Sequence, residues 1–397
     1  MAFALIFSCL AHAEEPFAPL PDDSVEVSLL TCDPHDEVYS LYGHTALRYH
    51  DLRNGDDWVF NYGVFNFKKP FFVLRFMFGL TDYELGVVPY RFFQAEYRRF
   101  GCAVSEQVLN LTAEEKRDLR LALEENYKEE NRVYRYNFLF DNCTTRTRDV
   151  IERSIGSKVE YGPQKDRRPL DESCNTYRKL LHALTAGHRW AQFGDDLCLG
   201  MRADLEITWR EKQFLPHMLM ADVQEGTITG KDGARPMVKT ARYAIEPGVQ
   251  FVSEGFPLTP LQCFGVLLAL SLAVAVAELR RGKTFVAWDA LLMTLVGVMG
   301  LVVGLLFFSQ HPTTSTNLQI FLLCPATFVF LPSVVRRRTT IYWKLSLIML
   351  ILFFLGAFLQ DYAEGMELLA LCLLSRVCVN LYLVAQGKNI KAKKTTR

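Results

Sequence analysis

"YNFLFDNCTTRTRDVIER", Tyr136 to Arg153, places one cysteine between an aromatic run ending in Asp-Asn and a segment that reads as the first turns of a helix. Asn142 is a favourable N-cap, and Val150 and Ile151 lie three to four positions beyond Thr147, as a half-buried helical face requires. Cys143 therefore stands at a helix start, where the dipole and the unbonded backbone N–H groups favour thiolate over thiol. A buried structural cysteine or half of a disulfide is the alternative at such a position. The rest of the chain has to choose between them.

The 397 residues carry 44 basic and 44 acidic side chains, and 50% are hydrophobic. That apolar excess is concentrated. Residues 22–255 have ordinary globular composition, whereas from about Pro260 the chain becomes a succession of apolar runs at 260–278, 287–308, 319–335, 345–359 and 367–385. Each is near the length of a helix that crosses a bilayer. Arg280, Arg281 and Lys283 lie in one connection, Arg336 to Arg338 and Lys344 in another, and Lys388, Lys391, Lys393, Lys394 and Arg397 in the tail. The remaining connections, "SQHPTTSTNLQ" and "QDYAEGME", contain no Lys or Arg. The positive-inside rule makes the basic segments cytoplasmic and puts the large polar region outside the membrane.

Residues 1–13, "MAFALIFSCLAHA", form a short apolar run closing on Ala11-His12-Ala13 and read as a secretory signal, although a basic n-region is missing. The expected organisation is a signal peptide at 1–13, an external domain at 14–259, a five-helix membrane domain at 260–387 and a basic cytoplasmic tail at 388–397. Topology accounts for the basic clusters, and no basic stripe remains for nucleic acid.

The external domain holds Cys32, Cys102, Cys143, Cys174 and Cys198, an odd number in a compartment that permits disulfides. At least one stays unpaired. Cys174 with Cys198 and Cys32 with Cys102 are pairs the spacing allows, and the connectivity stays open. Cys143, with its helix-start setting, is the best candidate for the leftover thiol. The chain has no Cys-x-x-Cys and no His/Cys cluster at ligand spacing, so neither a metal nor another cofactor is expected.

A nucleophilic cysteine needs a histidine base and a third group to orient that base. Among His35, His44, His50, His182, His188 and His217, His44 stands out by context. "SLYGHTALRYHD" runs from a glycine into an alternating stretch, "LRNGDD" supplies a turn, and "WVFNYGVFNF" alternates again. This is a hairpin pattern with His44 at its open end. A turn centred near Asn54-Gly55 sets His44 opposite Phe65 or Asn66 and selects Asn66 as the orienting residue. Asn61 is then expected on the other face.

Glycine-histidine opening a hairpin and, later, Asn-Cys opening a helix is similar to the arrangement of circularly permuted papain-like proteins. More closely, "YSLYGHTALRYHD", "NYGVFNF" and "YNFLFDNCTTRTRD", in this order and ahead of a multispan region, resemble the Lnb N-terminal periplasmic domain family. The resemblance implies an α+β, circularly permuted papain-like periplasmic domain followed by an all-α membrane domain of about five transmembrane helices, in the bacterial inner membrane. It implies a lipoprotein N-acyltransferase, with a phospholipid as acyl donor and a diacylated apolipoprotein as acceptor. Cys143 is carried over as nucleophile and His44 as base, with Asn66 at the position of the polar third residue. A cell-wall cysteine amidase or peptidase of related fold is the alternative, and a membrane-anchored sensor with an inactive domain a further one.

Asn142, Arg146, His311 and Asn317 are candidate substrate contacts, with His311 in the external loop 309–319 placed to touch a lipid head group or close the site from below. Residues 68–101 are unusually aromatic. Phe71, Phe72, Phe76, Phe78 and Leu80 beside Lys68, Lys69 and Arg75 would suit a lipid interface, or the rings fill the core. Thr112 and Glu115 form a capping-box pattern that opens a surface helix. Arg376, near the middle of the fifth run, needs a partner, either Asp289 or a lipid phosphate.

Overall fold

In the computed structural model the described residues are 24–387, apart from 38, 39, 67, 157, 162–174, 232, 251–254, 338 and 339. The signal-peptide reading at 1–13, the basic tail at 388–397 and Cys174 lie outside them.

The N-terminal part is built on antiparallel strands. β1 (Val25–Cys32), β2 (His44–Asp51) and β3 (Asp56–Val64) come first, followed by helix α1 (Phe72–Met77), β4 (Asp82–Pro89), α2 (Tyr90–Phe100) and β5 (Val104–Leu109). Helix α3 (Ala113–Tyr127), β6 (Val133–Arg135) and α4 (Cys143–Ser154) lead to β7 (Lys158–Glu160), α5 (Tyr177–Thr185), α6 (Arg189–Cys198) and α7 (Pro216–Gln224). The last strands are β8 (Thr227–Gly230), β9 (Gly233–Pro236) and β10 (Val238–Ile245). β10-β5-β1-β2-β3-β4-β6 form a seven-stranded sheet, and β7-β8-β9 a small separate one.

Strand alternation divides the core between the two faces of the large sheet. Val25, Val27, Leu29, Leu47 and Tyr49 pack with Leu119, Val150, Ile151 and Leu219, so α3, α4 and α7 cover one face. Leu30, Ala46, Val59 and Val104 pack with Phe93 of α2 on the other. Being covered on both sides explains why β1 is buried almost throughout. The Thr112–Glu115 capping box opens α3 as the sequence predicts, with each side chain bonding the other residue's backbone N–H.

The C-terminal part is helical: α8 (Pro260–Arg281), α9 (Val286–Leu306), α10 (Thr327–Val335), α11 (Ile341–Gly356) and α12 (Met366–Ala385). Three of these, α8, α9 and α12, are long and apolar enough to cross a membrane. The expected run at 319–335 is not one helix. It is a 3-10 turn at Leu318–Phe321, a break containing Pro325, and the nine-residue α10 with Pro332 inside it. Proline has no N–H to donate and disfavours helix in the preceding residue, so an apolar run alone overstated this element.

Arg376 finds the partner that its apolar setting demands. Its Nε donates to Asp289 Oδ1 at 2.7 Å and its terminal nitrogens donate to both carboxylate oxygens of Glu278 at 2.6 and 2.7 Å. The Asp289 partnership is as expected; Glu278, at the end of α8, completes a cluster fully enclosed among α8, α9 and α12.

Polar side chains join the two parts. Asn317 Nδ2 donates to Leu197 O at 2.8 Å, Gln319 Nε2 to Asp196 O at 2.8 Å, and Gln360 Nε2 to Leu199 O at 3.1 Å. Thus α6 rests on the loops at one end of the helical domain.

Candidate active site

The amide of Asn142 organises the start of α4. Its Oδ1 accepts the N–H groups of Thr144 and Thr145, both at 2.9 Å, and the Thr145 hydroxyl accepts the Asn142 N–H in return. Its Nδ2 donates to Phe138 O and Phe214 O. Asn142 therefore has no amide atom to spare for a substrate; it fixes the helix end on which Cys143 is the first residue. No acceptor among the described residues takes the Cys143 N–H, which precedes the intrahelical ladder. A second tie holds α4 to the sheet: the buried hydroxyls of Thr144 and Thr45 lie 3.1 Å apart.

His44 opens β2, and its ring Nε2 is 2.8 Å from Asn61 Oδ1. The asparagine that contacts His44 is thus Asn61 and not Asn66. The hairpin turn occupies residues 52–55, so Asp51 pairs with Asp56 and Leu47 with Phe60. The loop is centred one residue earlier than expected, and the same register continued past Leu47 sets Gly63, two positions before Phe65, opposite His44. Asn61, two residues from Gly63, then shares the face of His44. Asn66 lies beyond the strand, exposed, with its Oδ1 accepting the Lys68 N–H at 2.8 Å.

Gly63 makes the imidazole position available. A Cβ there would come 2.5 Å from His44 Cε1, so any other residue must displace the ring. Asn61 Oδ1 also accepts the Gly63 N–H at 2.8 Å, where the β3–β4 register is irregular. The amide oxygen thereby receives two donors and holds the Nε2–H tautomer, which leaves Nδ1 as the basic nitrogen.

The electrostatics follow from this pairing. Burial alone would push the Cys143 thiol up, but the charge and hydrogen bond of His44, the Thr45 backbone and the Thr144 hydroxyl together bring it down to about 7. For His44, burial disfavours the charged ring, and the facing Cys143 and the Asn61 contact outweigh it, so its affinity for a proton is raised. The pair favours thiolate and imidazolium.

The other described cysteines of this part behave differently. Cys32, Cys102 and Cys198 are free thiols as Cys143 is, so Cys32 and Cys102 are not bridged. Burial pushes all three up, Cys102 to about 11 and Cys198 to about 12. Cys143 is the one among them whose thiol is brought down, and at 9% exposure it is buried but not sealed.

The remaining candidates are placed as follows. Arg146 is held by both Asp141 oxygens, at 2.6 and 2.8 Å, with its guanidinium 3.7 Å over the Tyr134 ring. Asn317 is 1% exposed and its oxygen accepts from Gln319 and Gln360, so it serves the joint between the two parts. His311 donates from Nε2 to Phe76 O at 3.0 Å and fastens α1 to the loop after α9. Tyr83 and Tyr136, stacked with centroids 3.9 Å apart, pack in and against the same core cluster as Cys143. Sequence reading passed over this tyrosine pair because no local pattern links two residues on different strands and turns.

No group of three or more His, Cys, Asp or Glu among the described residues is arranged to hold a metal. Neither the curated proteins nor the solved structures contain a match to this chain. Family models do match: the Lnb N-terminal periplasmic domain over residues 15–183 and the Lnb transmembrane domain over 252–388. Together they take in more than half of the chain, in the order that the resemblance anticipates, and the protein belongs to the Lnb family, a membrane protein whose periplasmic domain precedes its transmembrane domain.

Proposed function

We propose that this is a lipoprotein N-acyltransferase of the bacterial inner membrane, which moves a fatty acyl chain from a phospholipid to the N-terminal amine of a diacylated apolipoprotein through a thioester on Cys143. One observation carries the reading: a thiol brought down to about 7 at a helix start, facing an imidazole whose other nitrogen is held by Asn61. Membership of the Lnb family agrees with such an acyl-transfer role.

The Cys143 thiolate attacks the ester carbonyl carbon, and the oxyanion that forms lies against the Cys143 N–H at the helix start. Collapse breaks the acyl–oxygen bond; His44 gives its Nδ1 proton to the departing alcohol, and a lysophospholipid leaves. The acceptor amine then attacks the thioester, His44 takes the amine proton, and breaking the C–S bond restores the thiolate. Asn61 keeps the ring in the orientation and tautomer that both steps use.

The chain order His44, Asn61, Cys143, with histidine and asparagine on strands and cysteine on a helix, fits a circularly permuted papain-like arrangement spanning the external region 14–259. In the membrane region 260–387, the broken stretch from Leu318 through α10 and the sixteen-residue α11 would supply the two further of five crossings. The test is the intact mass of the full-length protein after incubation with phospholipid. The wild type should gain one acyl chain that hydroxylamine removes, and Cys143→Ala should gain none; acylation of Cys143→Ala defeats the reading.

A further inference from the structure

Helix α1 has no buried residue. Phe71, at its N-terminus, is 77% exposed, Val73 is 67% exposed, and Leu74 and Leu80 are exposed as well. Phe71 also holds φ at +57°, in the left-handed region that a bulky aromatic rarely adopts. Neither burial nor backbone preference explains an apolar residue kept there, which is the kind of outlier that points to function.

The neighbours of α1 say what covers it. Gln310 N–H donates to Phe78 O at 2.9 Å, Ser309 hydroxyl to Met77 O at 2.7 Å, and His311 Nε2 to Phe76 O. Three consecutive residues after α9 thus staple α1 to the end of a membrane helix. α9 has 21 residues, a length of about 32 Å at 1.5 Å per residue, close to the thickness of the hydrocarbon layer. That length sets its last turn at the edge of a bilayer it crosses, and Phe307 and Phe308, the latter 79% exposed, follow that turn just before the residues bonded to α1. Lys68 and Lys69, exposed before α1, suit the adjoining phosphate layer.

A line of rings runs inward from this surface. Phe72 and Phe76 lie 6.5 Å apart, Phe76 and Tyr136 6.5 Å, and Tyr136 stacks on Tyr83, a member of the core cluster that holds Cys143. We propose that α1 is inserted in the outer edge of the bilayer and is the portal through which a phospholipid acyl chain passes along Phe72, Phe76 and Tyr136 to Cys143. The insertion stands on the surface alone; the passage rests on the acyl-transfer reading.

The experiment uses the full-length protein in nanodiscs of phosphatidylethanolamine and phosphatidylglycerol. The photoreactive p-benzoylphenylalanine replaces Phe71 or Leu74 and, as reference, the exposed Leu121 of α3. Irradiation should add the mass of a phospholipid at 71 and 74 and none at 121. In parallel, the combined variant Phe71→Ser, Val73→Ser, Leu74→Ser should slow acylation of Cys143 by bilayer phospholipid by about tenfold or more. Its alkylation by iodoacetamide should stay at the wild-type rate, which shows that the fold persists. Absence of adducts at 71 and 74, or equal adducts at 121, overturns the insertion. Adducts with wild-type acylation in the combined variant overturn the portal. Adducts in a wild-type protein that never takes up an acyl chain uphold the insertion and defeat the acyl-transfer reading instead.

Discussion

His44 Nε2 and Asn61 Oδ1 lie 2.8 Å apart, and this contact decides which ring nitrogen is free to work on the Cys143 thiol. Losing it leaves the base in place but lets the ring turn and change tautomer. Asn61→Ala is therefore expected to slow Cys143 acylation by about 10- to 1000-fold, as an orienting role worth a few kcal/mol implies. His44→Ala should abolish it, and Asn66→Ala should remain near wild type. Time courses of intact mass measure all three; full activity in Asn61→Ala contradicts the assignment.

The lowered thiol predicts a pH dependence. Because Cys143 is brought down to about 7, the thiolate is lost as pH falls through that value and gained as it rises. Iodoacetamide alkylation of Cys143 should rise with pH about a midpoint near 7. In His44→Ala burial is unopposed by the imidazolium, so the midpoint should move up, into or above the ordinary thiol range. Acyl transfer should also decline at high pH, as His44 loses the proton that it gives to the leaving alcohol. A midpoint that does not respond to removal of His44 contradicts the pairing.

The cluster of Arg376, Glu278 and Asp289 is enclosed among membrane helices, where an unpaired charge is costly. Arg376→Met leaves two carboxylates without their cation and is expected to cost about 3–5 kcal/mol. The triple variant Arg376→Met, Glu278→Gln, Asp289→Asn removes all charges together and should recover most of the loss. Thermal unfolding of the full chain in detergent reads the difference. Wild-type stability in Arg376→Met would show that the cluster holds nothing together.

The number of crossings can be read from the connection between α10 and α11. With five spans, a reporter inserted among Arg336 to Thr340 is cytoplasmic and one near Gly230 is periplasmic. Both reporters on the same side mean that the shorter helices α10 and α11 do not cross.

Much of the site was legible because it is written in local patterns. Alternation around Asn54-Gly55 marked the β2–β3 hairpin, and Asn142 marked the start of α4. A charge inside an apolar run marked the need of Arg376 for Asp289. What escaped depends on quantities that spacing does not carry. The orienting residue turned on where a four-residue loop is centred, and a shift of one position there exchanged Asn66 for Asn61. The pattern "NYG" held a clue, since Gly63 is the residue whose missing side chain admits the imidazole. Glu278 has no such mark, because it lies in the last turn of α8 just before Arg280 and Arg281, a setting that reads as a surface. His311 and Asn317 looked like free loop groups because their partners, Phe76 O and Leu197 O, lie more than a hundred residues away.

The most direct test of two-step acyl transfer is to isolate protein already acylated on Cys143, free of donor lipid, and mix it with a diacylated lipopeptide bearing a free N-terminal cysteine amine. The mass of the lipopeptide should rise by one acyl chain, in an amide that hydroxylamine leaves intact, while the protein loses the same mass. If the chain instead stays on the protein or appears only as free fatty acid, or if the wild type cleaves peptides and never carries an acyl chain, the account is contradicted and a hydrolase takes its place.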